Sequence, residues 1–324
     1  MRKFIKKIII FLGLFVLLLC LGFILPSTPR ASKSLLFASV NKNILLQDTP
    51  PPRIIFIGGS NISFGLNSQV IQETLSLNPI NTAIHAGIGL KYMLDSSIEY
   101  IRSGDIVVLI PEYGHYFKNI NLGSEELMRT IFDVDMLRIK YLNKEQIKNI
   151  LLFLPKYCST KYNLKEYFFV VESDVYSINS FNQYGDVFAH WELDSKNVTP
   201  FGSIDSAFNS QVVDMIKTYN SQLLKKNARL FISFPGLQDK TFDNQIEAIR
   251  IVEHNLNQSG LKILGSPERY KMPDEMMFDT PYHLNKEGVE RRTNLLIEDI
   301  REAMDNLKVD RTPLFGVTHP DERR

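Results

Sequence analysis

The apolar run Ile54-Ile55-Phe56-Ile57 ends in Gly58-Gly59, and the next residue is Ser60. A buried strand that stops in glycines holds such a serine on a sharp turn, with its hydroxyl free at the strand's C-terminal edge. Ligands and catalytic groups collect at that edge in open α/β sheets. Serine alone is a poor nucleophile; it needs an imidazole to accept its proton and a carboxylate to orient that imidazole. The segment Phe278-Asp279-Thr280-Pro281-Tyr282-His283-Leu284-Asn285 offers both, just ahead of an amphipathic stretch. These residue types in this order predict Ser60 as nucleophile, His283 as base and Asp279 as orienting acid.

Other chemistries fit less well. A phosphate-binding turn also uses Gly-Gly-Ser after a strand, but neither a Gly-Lys-Ser/Thr nor a Gly-x-Gly-x-x-Gly pattern follows. His283 could instead cap the helix that begins near Asn285, although Pro281 and Tyr282 put it in a loop. Pro281 disfavours helical geometry at Thr280, so the loop must bulge for Asp279 to reach the ring. Asp274 is the fallback acid. His85 and His115 fall on the same sheet edge as Ser60, but Glu112 and His115 three residues apart are thin evidence for a metal site, and none is expected. No cofactor is implied.

The elements that must position these residues alternate in type from Arg53 onward. Strands are expected at 53–57, 81–84, 105–110 and 229–234, with a weaker one at 262–264. Helices are expected at 67–76, 91–102, 206–226, 242–258 and 285–306. Such alternation argues a parallel sheet covered on both faces, and apolar runs without alternation such as Ile106-Val107-Val108-Leu109-Ile110 suit doubly covered strands. Residues 118–205 break the rhythm. They read as an insertion with helices at 125–141 and 144–154, then an irregular part rich in aromatics, among them Phe168, Phe169, Phe181, Tyr184, Phe188 and Trp191.

Three blocks of this sequence resemble the SGNH (GDSL-like) hydrolase superfamily, in particular its membrane-anchored bacterial envelope members. They are Ile57 to Gly65, Asn81 to Leu90 and Asp279 to Gly288, and the resemblance covers roughly residues 53–117 and 206–304. It implies a three-layer α/β/α sandwich, a Ser60–His283–Asp279 triad and acyl-ester chemistry, as an esterase or O-acyltransferase on an envelope glycan. It also implies oxyanion donors: the Ser60 amide, a glycine amide from the second block, and an asparagine after the third strand. Gly87 is the first choice for the glycine and Gly89 the second. The chain departs from the pattern in two places. Asp279 and His283 are one residue further apart than the usual Asp-x-x-His, and Glu112 stands where the asparagine is expected. An ionised Glu112 only accepts hydrogen bonds, so it is protonated, or orients another group, or Asn61 supplies the donor. The rival expectation is a non-catalytic envelope polysaccharide assembly or binding protein that keeps the fold. The aromatics near Trp191 could stack on sugar or close a local core.

Residues 8–25 form an eighteen-residue run without a charge, preceded by Arg2, Lys3, Lys6 and Lys7. At 1.5 Å per residue the run spans about 27 Å, near the thickness of a bilayer core. The basic flank should stay cytoplasmic, so the rest of the chain is expected to be periplasmic or extracellular. A cleaved signal peptide is the alternative, and Leu17-Leu18-Leu19 ahead of Cys20 lacks the small residues of a lipidation site. The expected organisation is an anchor over 1–26, a juxtamembrane spacer over 27–52 whose apolar stretch Leu35 to Val40 could pack on the domain, an α/β domain over 53–306 and a polar tail over 307–324. With 37 basic and 36 acidic residues the formal charge is +1, which gives no reason to expect nucleic acid as a partner. Two cysteines, one inside the apolar run, leave no plausible internal disulfide.

Overall fold

The computed structural model describes residues 1–168 and 174–309. Strands β1 (Arg53–Gly58), β2 (Asn78–Asn81), β3 (Ile106–Ile110) and β4 (Arg229–Ile232) form one parallel sheet in the order β2-β1-β3-β4. The chain leaves β1 for β2 on one side and returns to β3 on the other, so the strand order reverses between β1 and β3. Parallel sheets open a crevice at such a reversal, outside the carboxyl ends of the strands. Every residue of β1 is buried, as a continuous apolar strand covered on both faces requires. Its first residue, Arg53, is buried too, paired with Asp105 just ahead of β3 and donating to the Leu46 carbonyl at 2.7 Å. A minor pair, β5 (Leu237–Gln238) and β6 (Lys271–Met272), is also parallel.

β2 lies three residues earlier than its sequence pattern suggests. Pro79 has no N–H to donate, which an edge strand tolerates. The ladder ends with Thr82 donating to the Phe56 carbonyl, because the Asn81 side chain takes up the Ala83 amide. The expected strand at 262–264 is reduced to one parallel bridge, Ile232 to Ile263. Helices form near all five expected places: Ser68–Leu75, Leu90–Ser97, Ser210–Lys225, Ile246–Asn257 and Lys286–Val309. The fourth is preceded by a separate helix, Asp239–Asn244. In the insertion, one expected helix breaks into Glu125–Arg129, a wide turn over Thr130–Val134 and a tight turn over Met136–Tyr141. The last restarts where Asp135 accepts the Leu137 amide. Residues 310–324 of the expected tail, and Phe169, lie outside the described residues.

Residues 27–52 pack on the domain in part. They contain the helix Ala38–Asp48, and Leu35, Leu36, Ala38 and Leu46 are buried. Lys42 reaches inward to the carbonyls of Asn81 (3.0 Å), Gly185 (2.6 Å) and Ala83. Burial lowers its pKa to about 7 despite the charge of Asp186. Leu35 and Leu36 share a second apolar cluster with Ile84, Ile88 and the insertion residues Leu127, Ile131, Ile150 and Tyr157. The insertion and the segment after the N-terminal helix thus pack as one layer beside the loops that follow β2. Within the N-terminal helix, Arg2–Ile24, an eighteen-residue window has a mean hydropathy of 2.8, and the helix is long and apolar enough to cross a membrane.

Candidate active site

The parallel register pairs Gly58 with Ile110, and Ser60 and Glu112 each follow two residues later. Both therefore stand at the reversal point between β1 and β3. The glycines are demanded by close approach. A Cβ on Gly58 would lie 2.6 Å from the Ile110 carbonyl oxygen, and one on Gly59 would lie 2.6 Å from Glu112 Oε1 and 3.0 Å from Ala86 Cα. Ser60 starts a single helical turn, Ser60–Ser63, and keeps part of its surface exposed. Its hydroxyl donates to Glu112 Oε1 at 3.2 Å, and the Asn61 amide donates to the same oxygen at 3.3 Å. Among the described residues no hydrogen bond joins Ser60 to His283.

The Asp279–His283 loop closes as a tight turn. Met277 and Leu284 bridge antiparallel, Phe278 donates to the His283 carbonyl at 2.8 Å, and His283 donates to the Thr280 carbonyl at 3.1 Å. The extra residue between the two side chains is absorbed in this turn, and His283 Nδ1 lies 2.9 Å from Asp279 Oδ1. A proton on Nδ1 directed to Asp279 leaves Nε2 as the acceptor, which is the tautomer a base needs. The Tyr176 hydroxyl donates to Asp279 Oδ2 at 2.6 Å. Burial alone would raise the Asp279 carboxyl, yet hydrogen bonds from His283 and Tyr176 hold it below the ordinary carboxylate range. Phe64, four residues after Ser60, stacks on the His283 ring with centroids 4.0 Å apart and planes 8° apart. His190 supports the loop from below through Nε2 and the Leu284 carbonyl, 2.8 Å apart. The fallback acid, Asp274, is exposed and paired with Lys240 at 2.5 Å.

Glu112 is the unusual member. Burial of its carboxyl raises its pKa to about 7, against hydrogen bonds from the Asn61 amide and from the Ser60 hydroxyl and amide. It therefore sits on the donors an oxyanion would use. Among the described residues no hydrogen bond ties it to Tyr113 or His85: the buried Tyr113 hydroxyl has no partner among them, and His85 Nδ1 accepts the Gly87 amide at 3.0 Å. The Gly87 N–H is thus engaged by the His85 ring in this structure. Gly89 donates to the Ala86 carbonyl at 2.9 Å and adopts φ +84° where a Cβ would lie 2.3 Å from the Gly123 amide nitrogen, so its role is to permit that contact. The Asn61 side chain turns inward to the Ile110 carbonyl at 3.2 Å, and only its backbone faces Glu112. His115 is fully buried, with Nε2 3.0 Å from the Ala86 carbonyl and a pKa lowered by burial to about 4. Burial also lowers His85, against the pull of Glu126, so both histidines are neutral braces of the loop after β2.

His85 and Tyr176 line a cleft of about 540 Å³, whose other walls include Arg30, Glu126, Arg129 and Ser177. Among the described residues no group of three or more His, Cys, Asp or Glu could hold a metal ion. Trp191 packs partly buried on the main core, while Phe188 is exposed. Sequence reasoning missed Phe64, Tyr176 and His190. Phe64 carried a signal, since four residues after Ser60 is one helical turn; Tyr176 and His190 lie in the irregular insertion, where no periodicity places a side chain. No protein-family model matches the chain, and no curated protein matches it.

Proposed function

We propose that the protein is a membrane-anchored serine esterase or O-acyltransferase of the SGNH-like type. Its α/β domain would be an α/β/α sandwich held on the outer side of the membrane, and its substrate an acyl ester of an envelope glycan. The observation that carries the reading is the His283–Asp279 pair, oriented by Tyr176 and stacked on Phe64 one turn from Ser60. The strand order and the fully buried β1 support the sandwich; the N-terminal helix, with its basic flank, supports the anchor. The glycan rests on the resemblance to envelope members.

In this mechanism the Ser60 hydroxyl turns from Glu112 to His283 Nε2 as substrate enters. Ser60 Oγ attacks the acyl carbonyl carbon while His283 takes the Ser60 proton. His283 then passes that proton to the ester oxygen as its bond to the acyl carbon breaks, so that an alcohol departs and the acyl group stays on Ser60 Oγ as an ester. Water or a sugar hydroxyl next attacks the ester, giving its proton to His283, which returns it to Ser60. Free donors must meet the developing oxyanion. A protonated Glu112 can supply one, and its pKa of about 7 leaves it partly protonated at neutral pH. A carboxylic acid kept neutral by an apolar site is a known donor of this kind.

The same Glu112 contacts favour a second reading, in which the carboxylate permanently fills the donor pocket and the protein binds glycan without catalysis. Hydrolysis of p-nitrophenyl acetate by the full chain in detergent separates the two. Turnover that is lost in both Ser60→Ala and His283→Ala supports the enzyme; turnover unchanged in both leaves the non-catalytic reading.

A further inference from the structure

The insertion holds on to the N-terminal helix well below the end of its apolar run. Tyr162 Oη donates to the Leu18 carbonyl at 2.6 Å, and Cys158 Sγ donates to the Leu19 carbonyl at 3.2 Å. Gly22 is in contact with Cys158, where an added Cβ would lie 2.8 Å from the cysteine Cβ. Phe23 packs edge-on against Phe132 with ring centroids 4.7 Å apart. At 1.5 Å rise per residue, Leu18 lies about 10 Å along the helix before Leu25, where the apolar run ends. If the helix crosses a bilayer, the insertion residues that touch it at Leu18 and Leu19 are below the lipid surface as well.

The outward side of that part of the insertion suits such a position. Leu152, Leu164 and Phe168 are 76%, 69% and 76% exposed, and Tyr162 beside the helix is exposed too. Lys165 is exposed between them, where an ammonium can reach anionic headgroups. Exposed leucines and aromatics beside a spanning helix, with a lysine at the margin, match an interfacial surface that buries its apolar side about 5–10 Å into the headgroup and acyl boundary. That depth agrees with the level fixed by the Leu18 contact.

We propose that residues 151–168 form a second membrane attachment, embedded in the outer leaflet beside the anchor helix. The occupant of this face is lipid. The cleft lined by His85 and Tyr176 also contains Arg30 and Glu166, from the two segments that meet at the lipid surface. The proposal rests on the reading of the N-terminal helix as a membrane anchor.

Tryptophan fluorescence in brominated lipid tests it on the full chain. In a Trp191→Phe background, single probes are introduced as Leu152→Trp, Leu164→Trp and Phe168→Trp. Phe15→Trp serves as the anchor reference, and Leu224→Trp, exposed on the helix Ser210–Lys225, as the distal reference. These positions are exposed, so the added rings disturb no core. In nanodiscs of brominated phosphatidylcholine with phosphatidylglycerol, the three insertion probes should lose roughly half of their emission relative to unbrominated lipid, as acyl-level residues do, while Leu224→Trp is unchanged. Quenching of Phe15→Trp with insertion probes as bright as Leu224→Trp overturns the proposal and leaves the anchor standing. An unquenched Phe15→Trp overturns both.

Discussion

Ser60 Oγ and Glu112 Oε1 lie 3.2 Å apart, each two residues beyond the last paired positions of adjacent parallel strands. The contact follows from strand register and does not depend on a flexible loop. It makes protonation of Glu112 a property of the folded sheet. Its carboxyl is raised from 4.5 to about 7, so the folded state binds more protons than the unfolded chain between those values. Its contribution to stability is complete below about 4.5 and is lost as pH rises through about 7. Glu112→Gln should remove this slope and leave the variant more stable than the parent above pH 7, by up to roughly 3 kcal/mol. Melting temperatures of the two proteins across pH 4 to 9 check it; parallel curves would show that Glu112 is not the group that titrates.

Activity should respond to the same proton. If neutral Glu112 donates to the oxyanion, esterase kcat/KM falls above about pH 7 in the parent, and Glu112→Gln flattens that limb while retaining turnover. Glu112→Ala removes donor and acceptor together and should lower kcat by about 10- to 100-fold. Equal activity in all three forms would place Glu112 outside the reaction.

Asp279 and Tyr176 are predicted to act through His283. Asp279→Asn keeps the shape but disturbs the tautomer, and should lower kcat by roughly 10³- to 10⁴-fold. Tyr176→Phe removes one hydrogen bond to the Asp279 carboxylate and should cost about tenfold in kcat with KM unchanged. A rise in KM alone would make Tyr176 a substrate contact.

The Ser60 turn and the His283–Asp279 pair were legible because each carries a local signature: glycines at a strand end, and a carboxylate and histidine in one proline-containing loop. A helix long and apolar enough to cross a membrane was legible from an uncharged run. Donor geometry was not. Gly87 and Gly89 sit in the expected block, but their amides are used by His85 and Ala86, and which carbonyl or ring nitrogen an amide finds is a tertiary outcome. In the segment 27–52 prolines and polar residues dominate, and only the apolar stretch Leu35 to Val40 signalled packing on the domain; the inward reach of Lys42 was not legible, because its carbonyl partners lie far away in sequence.

The buried Arg53–Asp105 pair ties the start of β1 to the start of β3. Arg53→Met leaves the Asp105 carboxylate buried without its partner and should destabilise the fold by about 3–5 kcal/mol. Adding Asp105→Leu should recover part of that loss, because the uncompensated charge is gone. Additive losses in a denaturation double-mutant cycle would mean that the two residues act independently.

Whether Ser60 is an activated nucleophile is tested most directly by active-site labelling. The full chain in detergent is treated with a fluorophosphonate at neutral pH, and the adduct is mapped by mass spectrometry. A single adduct on Ser60 is predicted, absent from Ser60→Ala and strongly slowed in His283→Ala. No adduct on the folded parent, or the same labelling in Ser60→Ala, would contradict the account.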